Sequence, residues 1–146
     1  MFQIHRLRCF LLIPFLILAS CSNPAEDEFK RNEQRWKSQN ISDYGYKLRM
    51  ECYCPLQYIG PNRIEVRHGV AESITYAGDG RNINMSGVRL PDTMEKLFDI
   101  IRGEADQMTV TYDPTYGYPT SIHTIDRRAT HDNFTIYAVS DFEVRK

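Results

Sequence analysis

The residues from Asp43 to Cys54, "DYGYKLRMECYC", constrain this chain more tightly than any other stretch. Tyr44, Tyr46, Leu48, Met50, Cys52 and Cys54 alternate with Asp43, Lys47, Arg49 and Glu51, and a period of two sends the two sets to opposite faces of a strand. Such a strand is half-buried. Whatever forms around it must be a sheet with one covered face and one wet face.

Two further stretches keep the same period. "NRIEVRHGVAESITYA" reads as a hairpin turning at His68-Gly69, because Gly takes positive φ freely and His is among the residues more tolerant of it. His68 is therefore expected as a turn residue, not a ligand. "QMTVTYD" and "YPTSIHTID" flank the turn "PTYGY" as a second hairpin, with Asp113-Pro114 opening the turn, Gly117 supplying the unusual φ and Pro119 beginning an edge strand. "NFTIYAVSDFEVR" gives a last strand, with Phe134, Ile136, Ala138 and Phe142 expected on one face. Gly78 to Leu90 is rich in Gly, Asn and Ser without a period and reads as a loop.

Two segments have helical spacing. In "NPAEDEFKRNEQRWKS" Asn23 is placed to cap, Pro24 suits the first helical position, acids fill the first turn, and Glu26/Lys30, Asp27/Arg31 and Glu33/Lys37 stand at i, i+4. Its apolar face is only Phe29 and Trp36, so it must dock through those rings; alone, a helix this short is marginal in water. "PDTMEKLFDIIRG" has an Asp92-x-x-Glu95 cap, a stripe of Met94, Leu97, Phe98 and Ile101, and Gly103 past the end. The order is helix, three strands, helix, three strands. It predicts an α+β fold with two helices packed on antiparallel strands, and it admits two tandem αβββ units.

The N-terminus supplies an address. Arg6 and Arg8, an apolar run from Phe10 to Leu18, and Leu18-Ala19-Ser20-Cys21 form a three-part export signal. The run is about half of the roughly 20 residues a membrane span needs, and Pro14 interrupts it. The small residues before Cys21 resemble the lipobox of bacterial lipoproteins. That resemblance implies removal of residues 1–20, diacylglycerol on the Cys21 thiol and acylation of its freed amine; several chains on one residue hold firmly where one holds weakly. Ser22, standing where an Asp would retain the protein at the inner membrane, implies the periplasmic face of the outer membrane in a Gram-negative cell. Residues 21–28 then hold the lipidated Cys and a short tether, and residues 29–146 a single α+β domain. The 18 basic side chains of the whole chain include Arg6 and Arg8, which leave with the signal, against 19 acidic ones. A mildly acidic domain argues against nucleic acid and against broad adhesion to anionic lipid. The expected partners are the membrane, through the anchor, and an envelope protein.

Export also bears on Cys52 and Cys54. In oxidising surroundings the default for two nearby cysteines is a disulfide. Two residues along an extended strand are about 6.6 to 6.8 Å apart between Cα atoms, the outer edge of the disulfide range, so a bond requires the strand to bend, and Pro55 helps to stop it. So small a loop gains only about 1.6 kcal/mol from its closure. Paired thiols in the core and thiol–disulfide exchange are the alternatives. A zinc clip needs two more ligands, and His68, His123 and His131 show no ligand spacing to the cysteines. No metal and no cofactor are expected.

The stretch "YDPTYGYPTSIHTIDRRATHD" gathers Asp113, His123, Asp126, His131 and Asp132. A hydrolase would pair His123 or His131 with a carboxylate and a Ser or Thr nucleophile. The chain lacks a nucleophile elbow, HExxH, a Walker loop and a dinucleotide fingerprint, so solvated turn residues are the simpler reading and no catalytic residue is assigned. "GDGRNIN", with Asp79, Asn82 and Asn84, lacks the terminal Glu of a calcium loop.

Trp36, Tyr44-x-Tyr46, Cys52-x-Cys54-Pro55, "VRHGV", Leu97-Phe98 and "VTYDPTYGYPTSIHTID" together resemble the bacterial family called domain of unknown function 6174, over roughly Trp36 to Asp132. The resemblance implies a small exported protein or lipoprotein, and no substrate. Where similar sequences often carry Asp-Gly at the first hairpin, this chain has His68-Gly69, which keeps the turn and removes an acidic group. The expected function is a non-enzymatic, lipid-anchored binding or envelope-assembly module. The alternatives are a thiol–disulfide or hydrolytic enzyme using Cys52 and Cys54 or the His123 region, and a small-ligand carrier using the Tyr-rich strand face.

Overall fold

The computed structural model describes residues 23–83, 90–103, 107–126 and 133–146. Cys21 and the export signal, Asn84, His131 and Asp132 lie outside the described residues. The elements are α1 (Pro24–Ser38), β1 (Tyr44–Glu51), a single helical turn α2 (Leu56–Ile59), β2 (Asn62–Arg67), β3 (Val70–Tyr76), α3 (Met94–Arg102), β4 (Gln107–Tyr112), β5 (Pro119–Asp126) and β6 (Asn133–Val144). The strands form one sheet in the order β3-β2-β1-β6-β5-β4. All its pairings are antiparallel, and with the two longer helices it makes an α+β fold.

Local chemistry explains several boundaries. Asn23 caps α1, its Oδ1 accepting from the Ala25 N–H at 3.2 Å, and Pro24 follows where a missing N–H costs nothing. The β2–β3 hairpin turns through His68 and Gly69 at φ of 50° and 75°, the positive pair that matches strand twist. α3 departs from expectation at its start. Thr93, not Asp92, is the cap, its Oγ1 accepting from the Lys96 N–H at 3.3 Å. Asp92 pairs with Lys96 instead, and Glu95 turns toward the core.

The core lies between the sheet and the two long helices. Trp36 sits edge-on to Tyr44 and Phe142, at 5.5 and 5.9 Å, while Phe29 meets Phe98 of α3 at 6.1 Å. Tyr44, Tyr46, Leu48, Ile64, Val66, Met94 and Leu97 are fully enclosed. Each aliphatic chain buried there contributes about 1.5–3 kcal/mol. Three polar groups of the core rings are answered: the Trp36 Nε1–H donates to Glu95 Oε1 at 3.0 Å, the Tyr44 hydroxyl accepts from the Met94 N–H at 2.9 Å, and the Tyr46 hydroxyl donates to the Pro91 carbonyl at 3.1 Å, whereas the Asn62 Oδ1 is buried without a hydrogen-bond partner. Burial pushes both phenols well above their ordinary pKa.

Pairing across the sheet overrides two readings of single strands. Opposite Gly45–Lys47 the β6 register jumps from Glu143 to Ser140, and Asp141 takes φ of 49°. This bulge reverses the facing of β6 halfway along. Tyr137 and Val139 therefore join Phe142 against the core, while Phe134, Ile136 and Ala138 pair on the opposite side. Pro119 starts β5 as expected, but β5 is interior and β4 is the edge. At its first position, opposite a register shift at Thr111/Tyr112, Pro119 leaves the ladder intact.

The wet face carries charge. Arg63, Glu65, Glu143 and Arg145 form a ladder of ion pairs between 2.9 and 3.2 Å. Partial burial works to raise the Glu65 pKa, but Arg145 and Arg63 outweigh it and hold the carboxyl below its usual range. The ladder lies across Gly45, where a Cβ would come within 2.7 Å of Glu65 Oε2.

Candidate functional site

The cysteine turn follows β1 directly. The strand ends at Glu51, earlier than the alternation implied, and the chain bends through Cys52, Tyr53 and Cys54. The Cα atoms come to 5.3 Å, and the two sulfurs lie at disulfide distance. The required bend is thus present. Between the cysteines Tyr53 is 83% exposed, its ring 6.0 Å from that of Phe134.

The His123 region is dispersed. His123 pairs across the sheet with Thr109 and Ile136, with its ring edge-on to Phe134 at 6.4 Å. Asp113 is at the other end of the hairpin, where its Oδ1 accepts from the Thr115 and Tyr116 N–H groups at 2.9 and 2.7 Å to shape the turn. Asp126 ends β5. His68 is in its hairpin turn. Asp79 accepts from the Arg81 N–H, and Asn82 bridges to Thr75. Among the described residues no cluster of three or more His, Cys, Asp or Glu could hold a metal ion.

The Tyr-rich face of β1 is sealed. Tyr44 and Tyr46 are 0% exposed under α1 and α3, so this face is core, and the ligand-carrier reading of it fails.

A different place is open. Between the N-terminal turns of α1, the end of α3 and β4 lies a cleft of about 690 Å³. Its apolar lining is Phe29, Ile101, Met108, Val110 and Tyr112. Alternation builds it, because Met108, Val110 and Tyr112 are the half-buried residues of β4, while Gln107, Thr109 and Thr111 are exposed. Arg102 closes one end, pairing with Glu33 and Asp99 and lying over the Phe29 ring at 5.7 Å. At the other end the Glu28 carboxylate has no cation partner among the described residues. The Tyr112 phenol is pushed up to about 12 by burial first and by Glu28 second.

The cleft joins elements that no sequence motif relates. Its one local signal is that "QMTVTY" contains neither charge nor Pro, although edge strands ordinarily carry such guards. A comparison with protein-family models matches residues 28–144 to the family of unknown function DUF6174, past both ends of the span its motifs covered. No curated protein and no solved structure matches the chain.

Proposed function

We propose, from the premise that this chain belongs to the family of unknown function DUF6174, that it is a lipid-anchored protein of the bacterial envelope acting as a non-enzymatic binding or assembly module. The signal is cut before Cys21, whose acyl chains hold the domain to the membrane, at the periplasmic face of the outer membrane if the cell is Gram-negative. The observation that carries the binding role is the apolar cleft beside an uncharged sheet edge. Asn23, two residues after Cys21, lines that cleft, so whatever binds there binds next to the anchor. The proposed disulfide between Cys52 and Cys54 fixes a local turn. The two αβββ halves are proposed as units, in support of which each contributes three consecutive strands to its own half of the sheet.

Intact mass of protein from native membranes tests the anchor. Loss of residues 1–20 with a fatty-acid increment on Cys21 is expected; retained Met1 without any increment overturns the reading. No helix among the described residues is long and apolar enough to cross a membrane.

A second reading is thiol–disulfide exchange, favoured by the exposure of Tyr53 between the two sulfurs. Replacing both Cys52 and Cys54 by Ser separates the two. Lowered melting with retained function supports the structural role; unchanged melting with lost function supports exchange. A hydrolytic role for His123 would appear as activity lost on His123→Ala without loss of folding.

A further inference from the structure

The free edge of β4 and the cleft beneath it share the same residues. Met108, Val110 and Tyr112 give side chains to the cleft wall, while the outer rim of their backbone has no strand beside it among the described residues. A strand added to such an edge makes main-chain hydrogen bonds along it and sends every second side chain to one face. Here that face is the cleft. We propose that β4 is a docking edge for an extended segment of an envelope partner that carries apolar side chains at alternate positions and a basic residue at its N-terminal end. The proposal rests on the binding-module reading and names its surface and ligand class.

Charge selects the occupant. All pairings in the sheet are antiparallel, and an antiparallel newcomer brings its N-terminal end beside Tyr112, where Glu28 stands without a cation among the described residues. A Lys or Arg on the newcomer answers that carboxylate. A second copy offering its own "QMTVTY" has no cation to do so. After the expected cleavage only Cys21 and Ser22 precede Asn23, too few to cover the six residues of β4.

The test uses the mature chain and short fluorescent peptides of alternating Val and Thr, with Lys first, Lys last, or Glu first, read by polarisation. Tightest binding is expected for the Lys-first peptide. Glu28→Lys should invert the order, favouring the Glu-first peptide by about tenfold or more. Val110→Lys should abolish binding. Thr109→Lys, at an exposed position, should also weaken it, while Ser73→Lys on β3 should leave it unchanged; circular dichroism of each variant confirms folding. No binding of any peptide by folded protein overturns the proposal, and the anchor then stands or falls on intact mass alone. Equal binding of all three peptides contradicts the role of Glu28. A concentration-dependent dimer, lost on Val110→Lys in protein that binds no peptide, assigns the edge to a second copy. Displacement of bound peptide by phosphatidylcholine vesicles assigns the cleft to acyl chains. Either result overturns the proposal.

Discussion

The two edges of the sheet are built oppositely. β3 is closed at its C-terminal end by its own chain: the Tyr76 N–H donates to the Arg81 carbonyl and the Ile83 N–H to the Ile74 carbonyl, both at 2.9 Å, and Thr75 bridges to Asn82. Glu72 adds a charge to this edge, and a register shift between Glu65 and Val66 irregularises its pairing. β4 has no charge, no Pro and an apolar cleft behind it. At the turns the contrast reverses. A Cβ on Gly69 in the β2–β3 turn would meet nothing within 4 Å, whereas one on Gly117 in the β4–β5 turn would come within 2.5 Å of the Asn32 carbonyl oxygen. Arg35 of α1 also donates to the Pro114 carbonyl at 3.2 Å. The lesson is a division of labour: the β4–β5 hairpin is pinned at its turn so that its edge can stay open without fraying.

Both hairpins rest on one core, and alkali probes that common support with the largest effect. Tyr44 and Tyr46 keep their protons when folded, whereas in the unfolded chain they lose them near pH 10. Stability is therefore fully present below about pH 10 and falls above it, by about 1.4 kcal/mol per pH unit for each of the two, until the folded pKa is passed. Denaturant titration across that range should show one transition; separate unfolding of the hairpins would break the picture of a shared core.

Gly117→Ala should cost about 2–4 kcal/mol, combining a φ of 84° with collision against α1, while Gly69→Ala at φ of 75° in open space costs about 1 kcal/mol. Equal losses in urea denaturation would remove the distinction between the turns. Ile83→Pro deletes one hydrogen bond of the strap over β3, an effect of about 1 kcal/mol. It should also speed amide exchange in β3 and promote self-association, turning the closed edge into an open one. Thr109→Lys is the smallest perturbation, within about 0.5 kcal/mol in stability, and sharpens the contrast by guarding the open edge. A large drop in melting temperature there would mean that β4 is already packed against something.

What was legible in the sequence is what short range decides. Tyr44 to Glu51 alternate because one face is buried, Asn23 caps because its side chain reaches the Ala25 N–H, and His68-Gly69 turn because of their own backbone preferences. What was hidden depends on pairing between distant residues. The bulge at Asp141 exists because β6 lies on β1, so no reading of "NFTIYAVSDFEVR" alone could separate Phe142 from Phe134. Glu95 looked like half of a helix cap, and only the approach of Trp36 and Tyr44 turns it inward. Pro119 is interior because strand order is set by the whole sheet. The cleft joins α1, α3 and β4, which no local pattern relates; only the unguarded "QMTVTY" hinted at it.

Residue-resolved hydrogen exchange on the mature chain tests the open edge most directly. Expected are slow exchange for the Tyr76 and Ile83 amides and fast exchange for the outward amides of β4, the latter slowing when the Lys-first peptide is added. Outward β4 amides as slow as those of β3 in the free protein, or peptide-induced slowing confined to β3, would contradict it.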